Sequence, residues 1–450
     1  MGKALTREQV MALAPDPASA KASTGLATDR KWVALGADAD AVWGECQGSG
    51  AKPYQSQVDL TELACRCSCP SRKFPCKHGL ALLLLYAEGN PRFMGATRPA
   101  WVGEWLDARR EKAAKKEQAA EAAVAKAAVD PEVTAAAVAK REAARWKRIE
   151  TGTAELQRWI ADQFRRGLAR FGPEQQSEWA AMAARMVDAQ APGLAPLLHD
   201  ARECMIAGAS RHASAIERLG LLQLLNEGVR RRTHLRPARL ADVRAALGWP
   251  VDKEEVLRDG EAVADHWRVL GQCVVDLDGK LCERRIWLQG AETGRYALLQ
   301  DFAYGGKGWE GSWQDEGMYR ATLRYFPGSV PLRALVQEAI HAPASARSVG
   351  AGNHDAIDYV SRAFADNPWL AQLPMQLVDA IPTRQGHAWH LHVEMGTFVL
   401  RIDEASAWKL MALSGGHPLQ VMGEWDGRLL RPLSVYSDQT GHRSLGSAVA

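Results

Sequence analysis

Between Cys65 and His78 the chain reads Cys-Arg-Cys-Ser-Cys-Pro-Ser-Arg-Lys-Phe-Pro-Cys-Lys-His, five soft metal ligands within fourteen residues. The 450-residue chain has eight cysteines, and half of them fall here. Zn²⁺ prefers four ligands drawn from thiolate sulfur and imidazole nitrogen, so this density predicts one structural Cys₃His zinc site. The competing reading is a disulfide or redox cluster. Four cysteines beside a histidine fit metal better, and no charged-then-apolar leader points to an oxidising compartment.

The spacing predicts the local fold. Cys67 and Cys69 are two apart, so an extended segment projects both from one face with Cα atoms roughly 6–7 Å apart. Pro70 and Pro75 make residues 70–75 a loop. The apolar run Gly79–Ala87 predicts a helix. Its start suits Cys76, because free N–H groups and the helix dipole favour a thiolate there. The predicted unit takes two ligands from a strand or hairpin and two from the first helical turn. Cys65 shares a face with Cys67 and Cys69, so period alone does not exclude it. The predicted set is Cys67, Cys69, Cys76 and His78, with Cys65 a neighbouring thiol whose ability to substitute stays open.

These residues resemble a known family. Cys67-x-Cys69, six residues, then Cys76-x-His78 is similar to the SWIM-type zinc finger pattern, and the stretch through Gly79-Leu80-Ala81-Leu82 looks like its bacterial branch. Upstream, Trp43-Gly44-Glu45-Cys46 and Pro53-Tyr54 also look typical of those proteins. The resemblance covers residues 40–90 most strongly. It implies a ββα zinc module holding one Zn²⁺, with DNA or protein as partner. It further implies companions such as a MoxR-type AAA ATPase or a von Willebrand A protein.

The remainder reads as α+β: the small zinc module near the N-terminus, a central helical region, and a strand-rich mixed C-terminal domain. Expected divisions are a helical segment at 1–30, the finger module at 31–99 (core 54–89), an Ala/charged helical linker at 100–150, a helical domain at 151–265, and a Trp-rich α+β domain at 266–450. Strand-like segments occupy 41–47, 54–60 and 63–69. Glu104–Glu150 carries eleven cations against nine anions, which reads as a solvated helical linker rather than a nucleic-acid arm. Leu156, Trp159, Ile160, Phe164 and Leu168 recur at spacings of three and four, one buried stripe. Further helices are expected at 174–190, 194–209, 212–230 and 237–247. Arg230-Arg231-Arg232 with Arg236 and Arg239 is the densest basic patch, at a helix end where cations complement the dipole. From Trp267 the period turns toward two, with a hairpin about Asp278-Gly279. Helices interrupt that domain near 331–341, 353–365 and 404–413.

Function classes narrow accordingly. A formal charge of +3 gives no global argument for nucleic-acid binding. The longest apolar run is far short of the ~20 residues a membrane helix needs. Thr6-x-x-Gln9 reads as a capping box rather than part of a lipidation signal. Tyr304-Gly305-Gly306-Lys307 lacks phosphate-loop order, and no nucleophile elbow or His-Glu-x-x-His occurs. His390-x-His392-x-Glu394 is compatible with a catalytic metal, but simple alternation of an outward polar face explains it better. The expectation is a non-enzymic, cytoplasmic zinc-binding recognition or adaptor protein. Arg66, Arg72, Lys73, Phe74 and Lys77 are its candidate partner contacts, in a stretch with no carboxylate from Leu63 to Ala87. Two alternatives are retained. One is a structural zinc subunit of an AAA ATPase-linked complex acting through the C-terminal domain, and the other an enzyme with a C-terminal metal site.

Overall fold

The computed structural model describes residues 7–14, 17–48, 52–60, 64–71, 75–111, 131–168, 171–207, 212–277, 279, 281–304, 309, 313–342, 352–445 and 448–449. The chain is α+β. Its N-terminal unit is built on an antiparallel sheet in the order β1 (Trp32–Ala37), β2 (Ala41–Cys46), β3 (Tyr54–Asp59), β4 (Cys65–Cys67). One face is covered by α3 (Lys77–Ala87), every residue of which from His78 to Leu85 is buried. Two short helices, α1 (Arg7–Ala12) and α2 (Pro17–Leu26), pack against α3 from outside. The sequence reading of three strands missed β1. Gly36 breaks its apolar pattern, and that glycine is required because a Cβ there would lie 2.5 Å from the Trp43 ring.

The opposite face of the sheet is also covered. Residues 100–111 form α4, whose Val102, Trp105 and Leu106 bury Ala41 and Trp43. Arg98 reinforces the seam, with Nε and Nη2 donating to Asp38 (2.6 Å) and Asp40 (2.8 Å), and Arg110 also reaches Asp40 (2.9 Å). The unit is therefore a three-layer α/β/α sandwich rather than a helix on a hairpin. Residues 112–130 of the Ala/charged run lie outside the described residues.

The central region is helical: α5 (Pro131–Arg166), α6 (Pro173–Asp188), α7 (Leu194–Ile206), α8 (His212–Arg230), α9 (Pro237–Ala246) and α10 (Lys253–Asp259). Ile149, Leu156, Trp159 and Ile160 of α5 pack on Trp179, Met186, Leu198 and Leu222. Leu168 packs only at the edge of this core. Phe164 departs from the expected stripe and is 47 % exposed. At ~100° per residue, the eight-residue step from Leu156 rotates it out of the seam.

The C-terminal region holds two curled sheets. The first runs β7 (Tyr296–Tyr304), β6 (Leu281–Gly290), β5 (Glu261–Asp276), β8 (Met318–Tyr325), β9 (Ala334–Ala342). Here the sequence expectation is corrected twice. Strand structure begins at Glu261, ahead of Trp267, and the helix expected at 331–341 is strand β9. Pairing with β8 from Met318↔Ala342 to Tyr325↔Ala334 overrides local helical propensity. The expected hairpin joins β5 to β6, with Gly279 at φ +76°; Asp278, Lys280 and residues 305–308 lie outside the described residues.

After α11 (Asn353–Asp366) comes the second sheet: β12 (Gly396–Leu400), β11 (Ala388–Val393), β10 (Leu373–Gln385), β13 (Leu419–Trp425), β14 (Leu429–Ser437), β15 (Gly441–Ser444). It curls until β12 meets β14 in parallel, and α12 (Glu404–Ser414) packs on it. β16 (Ala448–Val449) returns to pair with β5. Between the sheets Glu424 is buried, accepting from Arg285 Nε and Nη2 (both 2.7 Å) and Trp287 Nε1 (3.0 Å). Asp242 of α9 ties the helical region to this one, accepting from Ser329 N (3.0 Å) and Asn367 Nδ2 (3.1 Å). Among the described residues no helix is long and apolar enough to cross a membrane.

Candidate metal centre

The four predicted ligands converge. Cys67 ends β4, held by the Ser56↔Cys67 pairing, and the ladder continues when Ser68 N donates to Gln55 O at 2.9 Å. Cys69 follows in the loop. Cys76 is the N-cap of α3, and its sulfur accepts from Gly79 N (3.5 Å). His78 sits one residue inside the first turn, buried against the ring of Tyr54 with centroids 5.0 Å apart. Helix geometry thus aims two ligands, the sheet edge supplies the third, and the loop the fourth.

The ligand atoms all lie within 4.8 Å of one another. His78 Nδ1 is 3.8 Å from Cys67 Sγ and 4.0 Å from Cys76 Sγ. Zn–S bonds near 2.3 Å and Zn–N bonds near 2.0 Å around a tetrahedron put ligands about 3.5–3.8 Å apart, so the cage is the right size and Nδ1 is the coordinating nitrogen. The chemistry agrees. Without a cation these sulfurs compete for charge. Hydrogen bonds from Cys67 and Cys76 hold the Cys69 thiol far below its ordinary value. The same contacts, with burial, push Cys67 far up. Burial disfavours the charged His78 ring, but Cys69 and Cys76 outweigh it and carry the imidazole up to about 9. A dication replaces those protons and removes the conflict. The cluster suits a structural Zn²⁺, which Cys67, Cys69, Cys76 and His78 would hold.

Cys65 lies outside the cluster. Its side chain faces Gly79, where a Cβ would sit 3.5 Å from the sulfur, and burial pushes its thiol up to about 12. All eight cysteines are unbridged. Of the candidate partner contacts, Arg66 and Lys77 are exposed beside the site, while Arg72, Lys73 and Phe74 lie outside the described residues. Tyr54 is the site residue that ligand spacing did not reveal; its place beside the motif was the one available signal.

The C-terminal histidines behave differently. His390 and His392 share one face of β11, with rings stacked at 6.4 Å, and His392 Nδ1 pairs with Thr397 Oγ1 at 2.7 Å. Glu394 lies exposed beyond the end of the strand and joins no ligand group with them. Asp265, His266 and Glu292 do approach one another. Yet Asp265 already accepts from three backbone N–H groups and the Thr293 hydroxyl, which occupies its lone pairs.

Fold and site together define a zinc-binding protein whose finger is closed by three thiolates and one imidazole. A family model for the SWIM zinc finger matches residues 54–87, and one for the SWIM-associated four-helix bundle domain matches residues 144–247. In these two stretches the chain is similar to SWIM-type zinc finger proteins. No curated protein and no solved structure matches it.

Proposed function

We propose that this chain is a zinc-dependent adaptor whose finger presents a surface to a protein partner. The carrying observation is the closed coordination. Four protein ligands fill the tetrahedron, leaving no position for an activated water, which supports scaffolding over catalysis. The resemblance directs attention to a MoxR-type AAA ATPase or a von Willebrand A protein as that partner. Eight unbridged cysteines support a reducing, cytoplasmic setting.

The test titrates zinc-loaded and chelated chain against each purified candidate by calorimetry. The expected result is saturable binding by the loaded chain that is lost with Cys67→Ser. Equal affinity with and without zinc refutes the reading. Zinc stoichiometry is read in parallel; a value near two revives a second metal centre and with it an enzyme.

A further inference from the structure

The two sheets of the C-terminal region are built alike. The order β7-β6-β5-β8-β9 of the first repeats as β12-β11-β10-β13-β14 in the second, and in each the third strand in chain order meets the fifth in parallel. In the second sheet that closure is Val399↔Leu429 and Leu400↔Leu430. In the first it is Leu298↔Arg333, where Leu298 N donates to Leu332 O at 2.7 Å. Past the closure the fifth strand has a free edge. β14 has its edge covered by β15, from Ser434↔Ser444 to Ser437↔Gly441. β9 has no such cover: from Leu335 to Ala342 no strand pairs its outer edge among the described residues.

Open strand edges recruit other strands, and proteins blunt the ones they do not use. This chain does so elsewhere. β16 covers the end of β5, and Arg92 Nη2 donates to the Trp32 and Val33 carbonyls of β1 at 3.0 and 3.2 Å. β9 carries neither Pro nor Lys, and every residue from Gln337 to Ile340 is exposed, whichever face it lies on. Ile340 is 53 % exposed. A bulge between Val336 and Glu338 leaves Glu338 to Ala342 as the regular part of the strand.

Charge indicates what this edge fits. On one face of the β8–β9 hairpin Arg320 pairs with Ile340 and Thr322 with Glu338. Arg320 and Glu338 are exposed, and neither has an ion pair among the described residues. Antiparallel pairing with a second β9 about a two-fold axis at Ala339 sets Glu338 opposite Ile340 of the partner subunit. Arg320 then stands in one row with the partner's Glu338, two strands or roughly 9–10 Å away, and the two side chains meet over Ile340. The symmetry repeats the ion pair and covers both isoleucines. An axis at Glu338 instead opposes like charges.

We propose that β9 is a self-association edge, which pairs antiparallel with β9 of a second copy of this chain about a two-fold axis at Ala339. The inference does not rest on the zinc-dependent adaptor reading.

The test is sedimentation velocity of the full zinc-loaded chain from about 1 to 300 µM at low salt. One strand edge is a small interface, so the mass is expected to rise from monomer toward dimer with a dissociation constant of ~10–100 µM. Glu338→Lys sets like charges together at both ion pairs and is expected to weaken the dimer ~10-fold. Adding Arg320→Glu to it swaps the charges and is expected to restore the dimer. Under mild oxidation Ala339→Cys, on the axis, is expected to give a disulfide-linked dimer that the parent chain and Val336→Cys do not. Melting temperatures are read in parallel and are expected to match the parent, because Arg320, Glu338 and Ala339 are exposed. The proposal is overturned if the chain stays monomeric to 300 µM, which leaves β9 to a strand of another protein. It is equally overturned if a dimer forms but is indifferent to Glu338→Lys, or if the charge swap melts as the parent does and fails to restore association.

Discussion

Cys76 plays two separable parts, cap and ligand, and replacing it tests how far the metal's influence extends. Cys76→Ser retains an oxygen that accepts from Gly79 N but removes the thiolate; Cys76→Ala removes both. On sequence grounds, loss of one ligand unfolds a ~50-residue module, because structural zinc supplies of order 10–16 kcal/mol in small fingers. The structure narrows that expectation. Leu80, Leu82, Leu83, Leu84 and Leu85 are buried between the sheet and the N-terminal helices. At about 1.5–3 kcal/mol each, these five contribute roughly 8–15 kcal/mol toward keeping α3 docked, an upper range given a compact unfolded state. Nothing comparable holds the three-residue β4 and the loop after it, where Arg66, Ser68 and Pro70 are exposed. Hydrogen exchange on the Cys76→Ser protein is therefore expected to show lost protection at Ser68, with Gly79 and Leu83 to Leu85 still protected. Cys76→Ala should cost about 1 kcal/mol more, the value of a cap. Uniform loss along α3, or no change at Ser68, refutes the reasoning.

Other perturbations address the remaining layers. Trp105→Ala opens the seam between α4 and the sheet and is expected to cost about 3–5 kcal/mol in urea unfolding; a cost under 1 kcal/mol means α4 does not cover the sheet. Glu424→Leu leaves Arg285 with only Glu283 and should cost about 3 kcal/mol, most of it recovered in the double variant with Arg285→Met, read by thermal unfolding. The third concerns protons. With its pKa raised to about 9, protonated His78 stabilises the metal-free fold below about pH 6.5 and loses that contribution as pH rises through 9. Zinc takes the nitrogen unprotonated, so loading at pH 7.5 should release at least two protons, from His78 and Cys67, measured by calorimetry in buffers of different ionisation enthalpy. Release of one or none contradicts the assigned ligands.

The site was legible because metal geometry constrains residue type and spacing together. Two cysteines at a strand end and a Cys-x-His pair opening a leucine-rich helix have few other arrangements, and Cys76 capping α3 follows directly. Helices with long apolar stripes, α6 to α9, were legible for the same reason. What failed depended on partners distant in sequence. β9 reads as helix until β8 lies beside it, and β1 is recognisable only once Trp43 fills the space above Gly36. The role of α4 was hidden because Trp105 finds Trp43 sixty residues away. The stacked arginines at Trp146 and Trp249 likewise need the tertiary fold to meet, so a run of three arginines reads from sequence as no more than a helix end.

One consequence follows from α4 lying behind the sheet. The chain leaves the zinc-bearing unit through this helix, and Trp105 rests on the strand whose Trp43 and Gly44 pair with Gln57 and Ser56. Ser56 in turn faces Cys67. A change in how α4 packs thus reaches the cysteine cluster across two strand pairings, coupling the zinc ligands to the far face of the sheet.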